Sequence, residues 1–158
     1  MRILTPANII GIYFTAAYIF PAYSQTIEQT REISFGTISV TDNSAQHQIL
    51  IDQNGNIAVD DEFLVIDPPL HGVYRISGYP ANVRLFLSSA IIQPQTQSTQ
   101  FSPEQFTLIS INIVPSIRVD SLGEADIIVG GTIQTSGSGN LIFGDTDYSS
   151  RFSITVNF

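Results

Sequence analysis

Two histidines, His47 and His71, are the only side chains of this 158-residue sequence that ordinarily titrate near neutrality, so a search for chemistry begins with them. They form neither an H-x-x-x-H nor an H-x-H spacing, and sequence alone brings no pair of imidazoles onto one metal. The densest acidic run is Asp60-Asp61-Glu62, and a hard cation such as calcium would want several such oxygens. Asp52-Gln53-Asn54-Gly55-Asn56 begins like a calcium loop. Its glycine stands fourth instead of sixth, however, and Phe63 occupies the place of the bidentate glutamate, so the stretch reads as a tight turn. Gly144-Asp145-Thr146-Asp147 reads as a second turn. No G-x-S-x-G elbow is present, and no carboxylate pair has a spacing that suggests a glycosidase. Tyr74, Tyr79, Phe86 and Tyr148 could stack on sugar rings, although alternating aromatics in strands more commonly fill a core. The reading is of a non-enzymatic chain with no catalytic residue, no cofactor and no metal site.

Composition narrows the field further. There is no cysteine, which removes disulfides, thiolate ligands, a thiol nucleophile and a lipid anchor on cysteine. All six basic residues are arginines, so Schiff-base chemistry, a P-loop and lysine–asparagine cross-links are absent as well. Fourteen acidic residues give a net charge of −8, which repels phosphate backbones and anionic headgroups; nucleic acid is not an expected partner.

The elements that would position any site are strands. Before them, Met1–Ser24 has the three parts of a secretory signal: Arg2, the uncharged run Ile9–Phe20, and Ala22-Tyr23-Ser24 ahead of a cut before Gln25. The run is too short to span a bilayer, so the mature chain 25–158 is expected as one domain without membrane insertion, in the periplasm, at the cell surface or outside the cell. From Gln25 onward the apolar residues keep a period of two. Ile33-Ser34-Phe35 alternates, and a parity change at Gly36 suggests a bulge before Ile38 and Val40. Gln48–Ile51 and Ile57–Val59 flank the Asn-Gly pair of a hairpin. Phe63–Ile66, Gly72–Ser77 and Val83–Leu87 follow, then a polar loop at 93–104. Leu108–Val114 sets Ile109, Ile111 and Ile113 on one face; Ile127–Gln134 contains Gly130-Gly131; Ser136–Asn140 is a turn. In the last strand Phe152, Ile154, Val156 and Phe158 share the core-facing side, which would pin the carboxyl terminus into the sheet. About nine short strands separated by turn signals describe an all-β, antiparallel immunoglobulin- or pilin-like β-sandwich.

Several stretches, in order, carry a likeness beyond composition. They are Phe35-Gly36-Thr37-Ile38, the Asn54-Gly55-Asn56 turn, Gly72–Gly78 followed by Asn82–Leu87, Gly130-Gly131-Thr132, and the ending Asp147–Phe158. Taken together the chain resembles the bacterial domain-of-unknown-function family numbered 4402, exported pilin-like β-sandwich proteins. It departs from the family at Ser150-Arg151, where a Gly-Thr pair is usual, and at Phe158, where the ending is usually tyrosine. The resemblance implies no enzymatic activity, and no catalytic residue is carried over. It implies a fimbria-like structural or adhesive role through β-strand pairing, with itself, other fimbrial subunits and a periplasmic chaperone as partners. The strand-exchange edges would be Ile27, Ile33 and Phe35 near the mature start and Phe152, Ile154, Val156 and Phe158 at the end. As a donor strand the first is interrupted, because Gln29 and Arg31 stand between Ile27 and Ile33. The alternative is a secreted monomeric binding module, for glycans, using the 93–104 loop. A hydrolase on the same scaffold is the third reading.

Overall fold

The computed structural model describes residues 24–139 and 143–158; the export signal read over the first 24 residues lies outside them but for Ser24, and so does Asn140 of the expected 136–140 turn. The described residues form eleven strands and no helix. These are β1 (Thr26–Arg31), β2 (Thr37–Val40), β3 (Gln48–Ile51), β4 (Ile57–Val59), β5 (Phe63–Asp67), β6 (Gly72–Ser77), β7 (Arg84–Ser98), β8 (Thr107–Asn112), β9 (Ser116–Arg118), β10 (Ala125–Gln134) and β11 (Tyr148–Asn157).

Every pairing is antiparallel. The main path runs β1-β6-β10-β8-β7-β11, with β3 also on β10, β4 on β3 and β9 on β7, while β2 and β5 form a separate ribbon. The long strand β10 organises the path. Its first half, Ala125–Val129, pairs β6, and its second half, from Gly131 to Gln134, lies between β3 and β8. Gly130 marks the switch: a Cβ there would lie 2.1 Å from the Ile51 carbonyl oxygen and 2.5 Å from that of Asp52. Only a residue without a side chain lets β3 come so close.

Two apolar clusters hold the layers together. In one, Ile76, Ile127 and Val129 of β6 and β10 pack with Leu85 and Leu87 of β7, and Phe152, Ile154 and Val156 of β11 close over them. In the other, Ile49, Phe106, Leu108 and Ile133 are covered by Phe63 of β5, Ile38 and Val40 of β2, and Phe35. The hairpin expected at Asn54-Gly55 joins β3 to β4, with Gly55 at φ 84°. The Asp52 carboxylate accepts the amide hydrogens of Asn54 (2.7 Å) and Asn56 (2.8 Å), so its oxygens serve the turn. Gly36 has φ 81°, and the β2–β5 register slips at Thr37/Ile38, next to the expected bulge.

Four expectations are corrected. The polar loop read at 93–104 is strand as far as Ser98, because backbone pairing of Gln93–Ser98 with Tyr148–Arg151 of β11 is indifferent to polar side chains; the loop proper is 99–106. In β8 the buried residue is Leu108, at 3% exposure, and Ile109 is turned out at 42%. Thr132 pairs Ser110 while the next residue, Ile133, pairs Leu108, so Ile109 is a bulge that lets Leu108 and Ile111 face inward together. The chain end is held in the sheet, β11 pairing with β7 as far as Asn157, but Phe158 is not core-facing: it lies beyond β11, 65% exposed, its ring edge-on to Tyr79 at 5.5 Å. The strands number eleven among the described residues, β9 being a three-residue addition to the edge of β7.

Candidate functional site: a groove between two edge strands

The two ends of the strand path are the two segments expected to be open edges. Among the described residues β1 pairs only β6, and β11 pairs only β7, so each presents one row of unpaired backbone amides and carbonyls. All six residues of β1 are exposed. Between the strands lies a groove, open to solvent, with a volume of about 1620 Å³. Ile27 and Gln29 of β1, the 32–43 segment with β2, and Phe152 and Ile154 of β11 all line it. Its lining mixes polar and apolar surface, with Tyr74, Ile111 and the nearly buried Phe106, Leu108 and Ile133 among the apolar residues.

Aromatic contacts fix the shape of the groove. The rings of Tyr74 on β6 and Phe152 on β11 meet edge to face, 6.4 Å apart, and tie the two halves of the fold beneath the opening. Burial, and then the negative charge of Glu32, raise the Tyr74 hydroxyl above its ordinary pKa, so it stays protonated. At the other end Phe106 stacks on Phe143 at 4.2 Å and receives the edge of Tyr148 at 5.1 Å. The Tyr148 hydroxyl shares a 2.6 Å hydrogen bond with the Ser102 hydroxyl.

Of the edge residues read from sequence, Ile27, Ile33, Phe35, Phe152 and Ile154 come together on this groove. Val156 packs into the β6–β7–β10 core, and Phe158 lies outside the groove. Two exposed apolar residues of the groove were missed, Ile66 and Ile92, at 63% and 64% exposure. Phe63–Ile66 carried a signal for the first of them: an unbroken apolar run has no polar face and implies cover on both sides.

The other chemical candidates stay apart. His47 Nδ1 lies 3.0 Å from the Glu62 carboxylate, and its Nε2 is buried without a hydrogen-bond partner among the described residues. His71 takes the Arg31 guanidinium, whose Nε donates to the His71 carbonyl at 2.9 Å and whose Nη2 meets His71 Nε2. Among the described residues no three His, Asp or Glu side chains converge as metal ligands. Tyr74 and Tyr148 lie on the groove, Tyr79 is buried in the core, and Phe86 is 56% exposed on the outer face of β7, so the four form no single sugar platform.

An all-β chain of antiparallel sheets, with an open groove lined in part by the edge strands β1 and β11, is the class that fold and site define. Residues 26–158 match the family model described as Domain of unknown function (DUF4402), and the chain belongs to that family. No curated protein and no solved structure matches it.

Proposed function

We propose that the chain is an exported, non-enzymatic structural or adhesive surface protein, pilin- or fimbria-like, whose sandwich works by accepting a β-strand. In this reading the signal is removed before Gln25, and the domain acts in the periplasm, at the surface or outside the cell. The observation that carries it is the groove, because it offers both things a strand needs. The outer edges of β1 and β11 supply unpaired backbone groups, and Ile27, Ile66 and Ile92 on the groove stand 46%, 63% and 64% exposed. Covering three half-exposed side chains of this size contributes about 1 kcal/mol each, to which the new backbone ladder adds.

The test is to fill the groove in cis. An Asn-Gly turn and a strand of alternating apolar residues are appended after Phe158, so that the addition folds back along β11. A thermal midpoint raised by about 5 °C or more, with no rise for a scrambled addition of the same composition, is the expected result. Equal midpoints for the two would sink the reading.

The glycan-binding alternative is favoured by one observation, that Phe101 in the 99–106 loop is 90% exposed. Sugar binding that disappears in Phe101→Ala would support it, and a glycan array without hits would remove it.

A further inference from the structure

The rim of the groove carries information about the strand that fills it. Of its charged lining residues, four are carboxylates (Glu32, Asp42, Asp145 and Asp147) and one is a guanidinium, Arg151. Three of the acids belong to one end. Asp42 follows the close of β2, Asp145 and Asp147 precede the start of β11, and Val40 and Tyr148 beside them pack on the same apolar cluster. The Ser44 amide (2.7 Å) and hydroxyl (2.9 Å) both donate to Asp42, which holds that carboxylate in its charged form. Toward the other end, Ile27, Tyr74, Phe152 and Ile154 make a largely apolar stretch, with Glu32 near Tyr74 and Arg151 next to Phe152 bringing one charge of each sign.

A second copy of the chain fits this surface badly. The chain has a net charge of −8, so two copies repel. Its own first strand breaks the apolar alternation at Gln29 and Arg31.

We propose that the occupant of the groove is an extended strand from a different, basic protein, with alternate apolar residues against Tyr74, Phe152 and Ile154 and arginine or lysine at the Asp42–Asp145–Asp147 end. The proposal rests on the strand-accepting reading above and adds the sign and placement of the partner's charge. Apolar alternation supplies the burial, while the charge sets direction along the groove and excludes acidic strands. A strand of about eight to ten residues, matching the stretch of chain from the Asp145 and Asp147 end to Ile154, spans both regions.

The test uses Gln25–Phe158, which contains every strand of the fold, and three fluorescein-labelled peptides. One alternates apolar and small polar residues and ends in two arginines; the second replaces the arginines by glutamates; the third scrambles the first. Anisotropy should show the arginine peptide binding about tenfold or more tighter than the glutamate peptide, with an advantage that shrinks as salt is added. In the double variant Asp145→Asn/Asp147→Asn the gap should close to about threefold. Equal binding of the arginine and glutamate peptides to the unaltered chain overturns the proposal, whatever the variant does. So does light scattering that shows the chain alone forming polymers with the groove filled by a second copy. If no peptide binds but the extended chain of the preceding section is still stabilised, the charge proposal falls and the strand-accepting reading stands. If that stabilisation is absent too, both fall.

Discussion

Adjacent glycines in β10 offer a sharp test of how this fold is held, because the same substitution should be damaging at one and nearly neutral at the other. In Gly130→Ala the new methyl would sit 2.1 Å from the Ile51 carbonyl oxygen and 2.5 Å from the Asp52 oxygen, both backbone atoms that cannot rotate away. Strand β3 would have to move off β10, where Gly131–Gln134 pair with Gln48–Ile51. The same Ile51 oxygen accepts the Asn112 side-chain amide at 2.8 Å, and that bond would be lost with the shift. Overpacking ordinarily costs ~1–3 kcal/mol and a lost hydrogen bond about 1, so the sum is about 2–4 kcal/mol. In Gly131→Ala the nearest atoms are the Ser110 oxygen at 3.0 Å, Phe35 Cζ at 3.4 Å and Ile33 Cδ1 at 3.5 Å, all but the first at ordinary contact. There the methyl regains ~0.5–1 kcal/mol of unfolded-state entropy, and the net change should stay within about 1 kcal/mol. Urea unfolding of Gln25–Phe158, with unchanged m-values, measures both. A Gly130→Ala protein within about 1 kcal/mol of the parent, or a Gly131→Ala protein equally damaged, would refute the reasoning.

Other expectations follow from the same structure. Ile127→Ala should cost about 2–5 kcal/mol in the same urea assay, since Ile127 is fully buried, whereas Leu64→Ala, at 60% exposure, should stay within about 0.5 kcal/mol. Hydrogen bonds led by the Asn56 side chain hold the Asp52 carboxyl below its ordinary pKa, so its contribution to stability is full above about pH 4 and is lost as the pH falls through the lowered value. The stability difference between the parent and Asp52→Asn, followed by thermal melts from pH 6 to pH 2, should therefore shrink at the acid end. The Arg75–Asp126 pair, 2.9 Å apart and half exposed on both sides, should show a double-mutant coupling in urea unfolding no larger than the error of the measurement, despite its two hydrogen bonds.

What could be read from sequence was whatever the chain decides locally. Gln48–Ile51, Ile57–Val59 and Gly72–Ser77 have the bounds of β3, β4 and β6, because alternation and an Asn-Gly turn act over a few residues. The bulge at Ile109 was not legible, since it exists only against the register of β10. The polar end of β7 was not legible either, because its pairing with β11 is backbone-mediated and its side chains carry no apolar signal. The groove shows the division most clearly. Five of its apolar residues were named as strand edges through the family resemblance, but that β1 and β11 would border one opening depends on β1 joining β6 and β11 joining β7, contacts between segments far apart in sequence. Charge at the rim required the same knowledge, since Asp42 and Asp147 meet the groove only through the fold.

The most direct test of the strand-accepting groove is amide hydrogen exchange on Gln25–Phe158, with and without the arginine-ended alternating peptide. Exchange should slow at the outward-facing amides of β11 or β1, and the amides of the β3–β4 hairpin, none of which lines the groove, should be unchanged. Protection confined to the 99–106 loop, or no protection while the peptide is bound, would contradict it.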